Sequence, residues 1–222
     1  MPRQSLSEPI VCDTAFELDA QSMGAQFIAG VDEVGRGALA GPVVAAAVIL
    51  DFNRIPAGLN DSKKLSAAMR EKLAAEIRAS AIAYGIARVE AEEIDRINIL
   101  QATCKAMREA IRMLHPAPDF LLLDAVQLKE LTIKQKAIIK GDAKSVSIAA
   151  ASIIAKVARD RWMVDYDQEF PGYGFVRHVG YGTAAHLQAL REIGPSKLHR
   201  LTFRQVLPEA QQTELLAGLF EA

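Results

Sequence analysis

No apolar stretch in this 222-residue chain approaches the roughly 20 residues that cross a bilayer, so a membrane-spanning helix is not expected. The N-terminus lacks the charged-then-apolar order of a signal peptide. Only two cysteines occur, Cys12 and Cys104, without metal-ligand or disulfide-framework spacing. A reducing, cytoplasmic setting is therefore the expectation. An excess of either charge is missing as well: 26 Lys and Arg stand against 27 Asp and Glu, for a formal net charge of -1. A generally basic molecule is excluded, and any nucleic-acid partner must be held by a local basic patch. There are no internal repeats and no low-complexity segments. What remains is 50% apolar and 24% charged residues, an ordinary globular composition long enough for a sizeable core.

One stretch organises the chain. The apolar run Phe27-Ile28-Ala29-Gly30-Val31 stops on Asp32-Glu33 and is followed by Val34-Gly35-Arg36-Gly37. Apolar residues bounded by glycine predict a buried strand, and burying two unpaired carboxylates at its end costs many kcal/mol. A hard cation with oxygen ligands would satisfy them, Arg36 would suit a substrate phosphate, and the glycines permit close backbone approach. A polar turn with surface acids is the competing reading of the same residue types. Two nucleotide motifs fail on context. Gly30-x-x-x-x-Gly35 lacks the Lys-Ser/Thr of a P-loop, and Gly35-x-Gly37-x-x-Ala40 leads into a second strand, Val43 to Leu50, instead of a helix.

Met1 to about Gln26 reads as an extension, partly disordered and without chemistry. Strands one and two pair antiparallel through Gly41-Pro42. A helix capped by Ser66 carries Met69, Leu73 and Ile77 on one face, preceded by Lys63 and Lys64, which read as a solvated loop or a phosphate contact. Ala81 to Val89 is a third strand, Ala91 to Leu114 a single long helix, and Asp119 to Asp124 a fourth strand ending on a carboxylate. Lys136 to Lys140 is a fifth, leading to Gly141-Asp142. In the helix from Ser145 to Arg161, Ser145, Ser152, Lys156 and Arg159 recur at spacings that place them roughly on one face, toward the site or on a solvated basic stripe. Glycine-aromatic loops follow at 170–175 and 178–183, then a helix over 184–193 and an amphipathic one from about Pro208. The element order gives a mixed α/β sheet, three antiparallel strands first and crossover-linked ones after, so that strand-end acids can converge.

Gly30-Val-Asp-Glu-Val-Gly-Arg-Gly37, Asn60-Asp-Ser-Lys-Lys-Leu-Ser66, Asn98-Ile-Leu-Gln-Ala-Thr103, the strand ending at Asp124, Gly141-Asp142 with the helix after it, and Gly180-Tyr-Gly-Thr183 together closely resemble bacterial ribonuclease HII, over about residues 27–204. The resemblance implies a ribonuclease H-like five-stranded sheet flanked by helices, with a catalytic core over 27–165 and a C-terminal helical extension over 166–222. It implies a magnesium- or manganese-dependent endonuclease that cuts RNA in RNA–DNA hybrids and at single ribonucleotides in duplex DNA, serving ribonucleotide and primer removal. The family's four acids fall on Asp32, Glu33, Asp124 and Asp142, its 2′-hydroxyl-reading loop on Gly35, Arg36 and Gly37, its stacking tyrosine on Tyr181, and substrate contacts on Lys63 and Lys64. Ser145, Ser152 and Lys156 join these as substrate-binding candidates. Three departures stand out: Val179 where lysine is expected, Ala125 where glycine is usual, and Lys197-Leu198 before His199-Arg200. A monomer acting on nucleic acid is expected. Rival readings are another metal nuclease on this fold, such as a junction resolvase, and a non-catalytic hybrid-binding module, against which the four acids argue. Gln212-Thr-Glu-Leu215 with Leu219-Phe220 hints at a sliding-clamp peptide, but an amphipathic helix accounts for the pattern as well.

Overall fold

A computed structural model describes residues 12–221, with the side chains of 216 and 219–221 left aside. Its centre is β1 (Ile28–Val34), whose residues from Ile28 to Asp32 are buried. β1 pairs antiparallel with β2 (Val43–Ile49), which pairs antiparallel with β3 (Ala83–Val89). On its other side β1 runs parallel to β4 (Phe120–Asp124), and β4 runs parallel to β5 (Lys134–Ile138). The order β3-β2-β1-β4-β5 is the expected mixed five-stranded sheet, three antiparallel strands and then parallel ones.

Strand alternation sends the two faces of β2 to different helices. Val43, Ala45, Ala47 and Ile49 pack under α4 (Ile99–Arg112), whereas Val44, Ala46 and Val48 face α2 (Ala67–Ser80) and α5 (Val146–Glu169). Gly30 of β1 lies against α5 so closely that an added Cβ would stand 2.0 Å from the Ser147 carbonyl carbon. Asp32 is two residues further along that same face.

Four elements depart from expectation. The long helix over 91–114 is two helices, α3 (Ala91–Ile97) and α4, because Asn98 takes φ 65 and its Oδ1 accepts from the Gln101 amide. A short polar side chain that tolerates left-handed backbone and caps a helix breaks the run. β5 ends at Ile138, and left-handed Lys140 turns the chain into the 3₁₀ turn Gly141–Ala143, so Asp142 sits at a helix entrance and not on a strand end. α5 runs on to Glu169. The extension expected over 1–26 lies outside the described residues as far as 11, but α1 (Ala15–Ser22) packs Ala20 against Ile28, Leu122 and Ile148. Buried Glu17 Oε1 accepts from Ser145 Oγ at 2.5 Å and from the Ser147 amide at 2.9 Å, a carboxylate at the positive end of α5.

Beyond α5 come α6 (Phe175–His178), α7 (Ala184–Ile193) and α8 (Glu209–Glu221). Phe175, Leu190, Leu198 and Met163 close a separate core over Leu39 and Ala40, the loop that joins β1 to β2.

Candidate active site

Asp32, Glu33, Asp124 and Asp142 line one cleft of about 380 Å³ with Ser62, Lys63, Ser152, Lys156 and Tyr181. β1 supplies the first two acids, the end of β4 supplies Asp124, and the turn before α5 supplies Asp142. Parallel pairing of Val31 with Leu123 brings the first three to one end of the sheet. Asp124 Oδ1 accepts from the Gly141 amide at 2.7 Å, tying the third acid to the turn that carries the fourth.

The electrostatics are those of crowded, partly dehydrated like charges. Burial raises Asp32 well above the ordinary carboxylate range, with Glu33 and Asp124 adding to it and a Ser152 hydrogen bond opposing. Burial also raises Glu33, against the pull of Arg36, whose Nη1 lies 3.2 Å from Glu33 Oε1. Asp142 is raised by burial, then by Asp61 and Asp124. Among the described residues, Glu33 Oε2 is buried without a hydrogen-bond partner. Among the described residues no three His, Cys, Asp or Glu side chains are gathered round one point. An all-oxygen donor set with an orphaned buried carboxylate oxygen fits a hard divalent cation, which would be held by Asp32, Glu33, Asp124 and Asp142.

Two buried arginines shape the rim. Arg200 donates from Nη2 to the carbonyls of Gly35 and Gly41, both at 2.8 Å, from Nη1 to that of Arg36 at 2.9 Å, and from Nε to Gly41 again at 3.1 Å. Arg159 donates to the carbonyls of Pro42 at 2.9 Å, Ala40 at 3.1 Å and Val179 at 2.8 Å, and its guanidinium lies 5.7 Å from the Tyr181 ring centroid. A Cβ on Gly35, which has φ +88, would lie 2.2 Å from Arg159 Nε. The glycine loop and the tyrosine loop are thus stapled together, with the Leu39 amide donating to the Gly180 carbonyl at 2.8 Å.

The ribonuclease HII family model matches residues 29–206. The chain belongs to the ribonuclease HII family. It is 54% identical over 199 residues to ribonuclease HII of Geobacter sulfurreducens, covering 90% of this chain and 91% of that one. The crystal structure of ribonuclease H2 from Pyrococcus horikoshii is similar at a TM-score of 0.68 and 26% identity, over 89% of this chain and 100% of that one. Ribonuclease HII of Archaeoglobus fulgidus, solved in complex with PCNA, matches at a TM-score of 0.70 and 30% identity, over 81% of this chain and 95% of that one. The fold is accordingly ribonuclease H-like, and the chain is a ribonuclease H endonuclease, a hydrolase of RNA–DNA hybrids from a divalent-metal-dependent family.

For a ribonuclease HII the expected residues fall out unevenly. Lys63, Ser152, Lys156 and Tyr181 share the cleft with the acids, and Arg36 pairs with Glu33 at its edge. Lys64 is exposed at the end of the Ser62–Lys64 turn, and Gly37 is exposed with open space around it. Ser145 is not brought to the site. It is fully buried as the cap of α5, donating to Glu17 and accepting from Ile148 N, so it has no free group for substrate. Arg159 also turns from the expected face to bond loop carbonyls. Ala125 and Val179 have φ 52 and 45, a left-handed conformation that favours glycine and is strained for a β-branched residue. Sequence reasoning missed Arg200, Asp61, Ser62 and Glu17 as contributors. Asp61 and Ser62 lie within the Asn60–Ser66 motif and Arg200 ends the Lys197–Arg200 stretch that departs from the family, but nothing local marks what Arg200 or Glu17 bonds.

Proposed function

We propose that this ribonuclease HII cuts RNA–DNA hybrids and also incises duplex DNA 5′ to single embedded ribonucleotides, leaving 3′-hydroxyl and 5′-phosphate ends. The observation that carries this reading is the common cleft of four acids, two lysines and Tyr181 beside a glycine loop of fixed direction. Magnesium or manganese, two ions in the active complex, would supply an activated water and stabilise the leaving oxygen. The chain's own residues bind and orient. Lys63 and Lys156 face the cleft, where they suit the phosphates on either side of the scissile bond, with Lys64 at its margin.

Ribose recognition is supported by the staple. In a trans peptide the C=O and the following N–H point in opposite directions. Arg200 holds the Gly35 and Arg36 carbonyls inward, so the N–H groups of Arg36 and Gly37 face outward, and among the described residues neither has an acceptor. These donors suit the 2′-hydroxyl, the group by which RNA is told from DNA. Open space at Gly37 leaves room for the ribose. Tyr181, 36% exposed in the same cleft, would suit stacking on the sugar at the following deoxynucleotide.

The proposed setting is a cytoplasmic monomer in ribonucleotide and primer removal; no helix among the described residues is long and apolar enough to cross a membrane. For the clamp peptide, Leu219 and Phe220 lie outside the described side chains. Gln212 Nε2 donates internally to the Phe203 carbonyl at 2.6 Å, so a clamp contact through it would have to break that bond.

The test is a labelled DNA duplex with a single ribonucleotide, with and without magnesium or manganese. Metal-dependent incision 5′ to the ribonucleotide is expected. Cutting of an all-DNA duplex or a four-way junction at equal rate would overturn the ribose reading.

A further inference from the structure

Three of the chain's four histidines, His178, His186 and His199, are buried together beneath the loop that carries Tyr181. Their hydrogen bonds fix every ring proton. The Ser196 amide points at His199 Nδ1 at 3.0 Å, and an amide N–H can only donate, so His199 carries its proton on Nε2. That Nε2 is 3.0 Å from His186 Nε2, which must therefore accept. The His186 proton then sits on Nδ1, 3.0 Å from the Tyr181 carbonyl. By the same logic the Gly180 amide donates to His178 Nδ1 at 3.2 Å, leaving His178 Nε2–H for the Tyr173 carbonyl at 2.9 Å. The His178 and His186 rings stack at 4.4 Å. Between His186 and His199 there is room for one proton and no more.

We propose that His186 and His199 form a one-proton relay that holds the Tyr181 backbone, making both of them positioning residues for the substrate contact of Tyr181. The proposal rests on the reading of Tyr181 as that contact. A second proton would set two N–H donors face to face at 3.0 Å and break the relay. The surroundings oppose that charge. Burial lowers both histidines, His199 to about 4. Facing them are His178, the rings of Tyr173 and Phe175, and two cations, Arg200 next in the chain and Arg159 of α5 on the Val179 carbonyl. The carboxylate of Asp95, from α3, is engaged by the amides of Leu201 and Thr202. The relay is therefore intact across the neutral and alkaline range.

Two measurements test it. Nitrogen-15 NMR of the full chain at neutral pH reads the tautomers without substrate; Nδ1–H for His186 and Nε2–H for His178 and His199 are expected. An imidazolium or the opposite tautomers overturn the relay. Kinetics on a duplex with one ribonucleotide read the coupling. His186→Phe keeps the ring and removes both nitrogens, and should raise KM about fivefold to tenfold with kcat within about twofold. Tyr181→Ala should raise KM at least as much, and the double variant no further, as expected when two residues act as one unit. His186→Gln, whose amide can donate to the Tyr181 carbonyl, should recover most of the loss, a rescue that a purely structural role would not give. His199→Phe serves if His186→Phe does not fold. Wild-type KM in a folded His186→Phe, with Tyr181→Ala impaired, overturns the proposal. Wild-type KM in Tyr181→Ala instead overturns the stacking role of Tyr181 and with it the coupling, while the NMR tautomers still decide the relay.

Discussion

Arg200→Lys isolates the fork geometry from the charge. Arg200 makes four hydrogen bonds to the carbonyls of Gly35, Arg36 and Gly41 in a fully buried position. Burial pushes its pKa down to about 9, so it is still cationic at neutral pH. A lysine ammonium is a single nitrogen on a shorter stem and cannot reach all three carbonyls, so one or two are left unpaired away from water. Each buried group so orphaned costs about 1–3 kcal/mol, giving a loss of roughly 1–6 kcal/mol. That is a large part of the roughly 5–15 kcal/mol that holds a domain folded. At about 2–4 °C per kcal/mol for a chain of this size, the melting temperature should fall by roughly 2–24 °C. The Arg36 and Gly37 amides lose their fixed direction in the same step. Thermal unfolding by circular dichroism reads the first effect. Cleavage of a single-ribonucleotide duplex, at a temperature where the variant is still folded, reads the second as a loss of about tenfold or more in kcat/KM, roughly one lost hydrogen bond to a charged or strongly polarised group. A melting temperature within about 2 °C of wild type, below one kcal/mol on this scale, would refute the staple.

Asp32→Asn and Asp124→Asn should each abolish metal-dependent cleavage while the metal-free fold is no less stable, because each removes one of several like charges; near wild-type turnover with magnesium in either contradicts the assignment. Asp32, Glu33 and Asp142 are raised carboxyl groups, so protonation favours the metal-free fold and that stability is lost as pH rises through the raised values. Divalent ions compete with those same protons. The magnesium-induced rise in melting temperature should therefore grow as pH rises above the ordinary carboxylate range and through the raised values, and a rise that did not change with pH would count against a carboxylate site. Ala125→Gly relieves a φ of 52 and should raise stability by up to about 1 kcal/mol in urea denaturation, a lower value speaking against strain there. Gly30→Ala drives a methyl into the Ser147 backbone and should cost about 3 kcal/mol or leave the chain insoluble, whereas a wild-type melting curve would mean that α5 can move off β1.

Much of the fold and the acid cluster was legible because both follow from local pattern. The eight-residue apolar run from Val43 can hardly be anything but a buried strand, and Asp32 with Glu33 at the end of another demands a partner charge. The fine divisions were not legible. Asn98 splits one apparent helix through a backbone conformation that periodicity does not report, and Lys140 ends β5 in the same way. Ser145 and Ser152 share a helical spacing, yet one caps α5 against Glu17 while the other lines the cleft, and only the docking of α1 separates them.

By itself the sequence determined which acids stand at strand ends and that Gly35 to Gly37 stand beside the first two, since adjacency in the chain and strand period are one-dimensional properties. Tertiary structure alone decided what holds those groups in place. Arg200 and Arg36 are 164 residues apart, and His199 reaches Tyr181 only through His186. Bonds from side chains to distant backbone carbonyls leave no periodic trace in the sequence, because the carbonyl is present in every residue and its direction is set only when the chain closes.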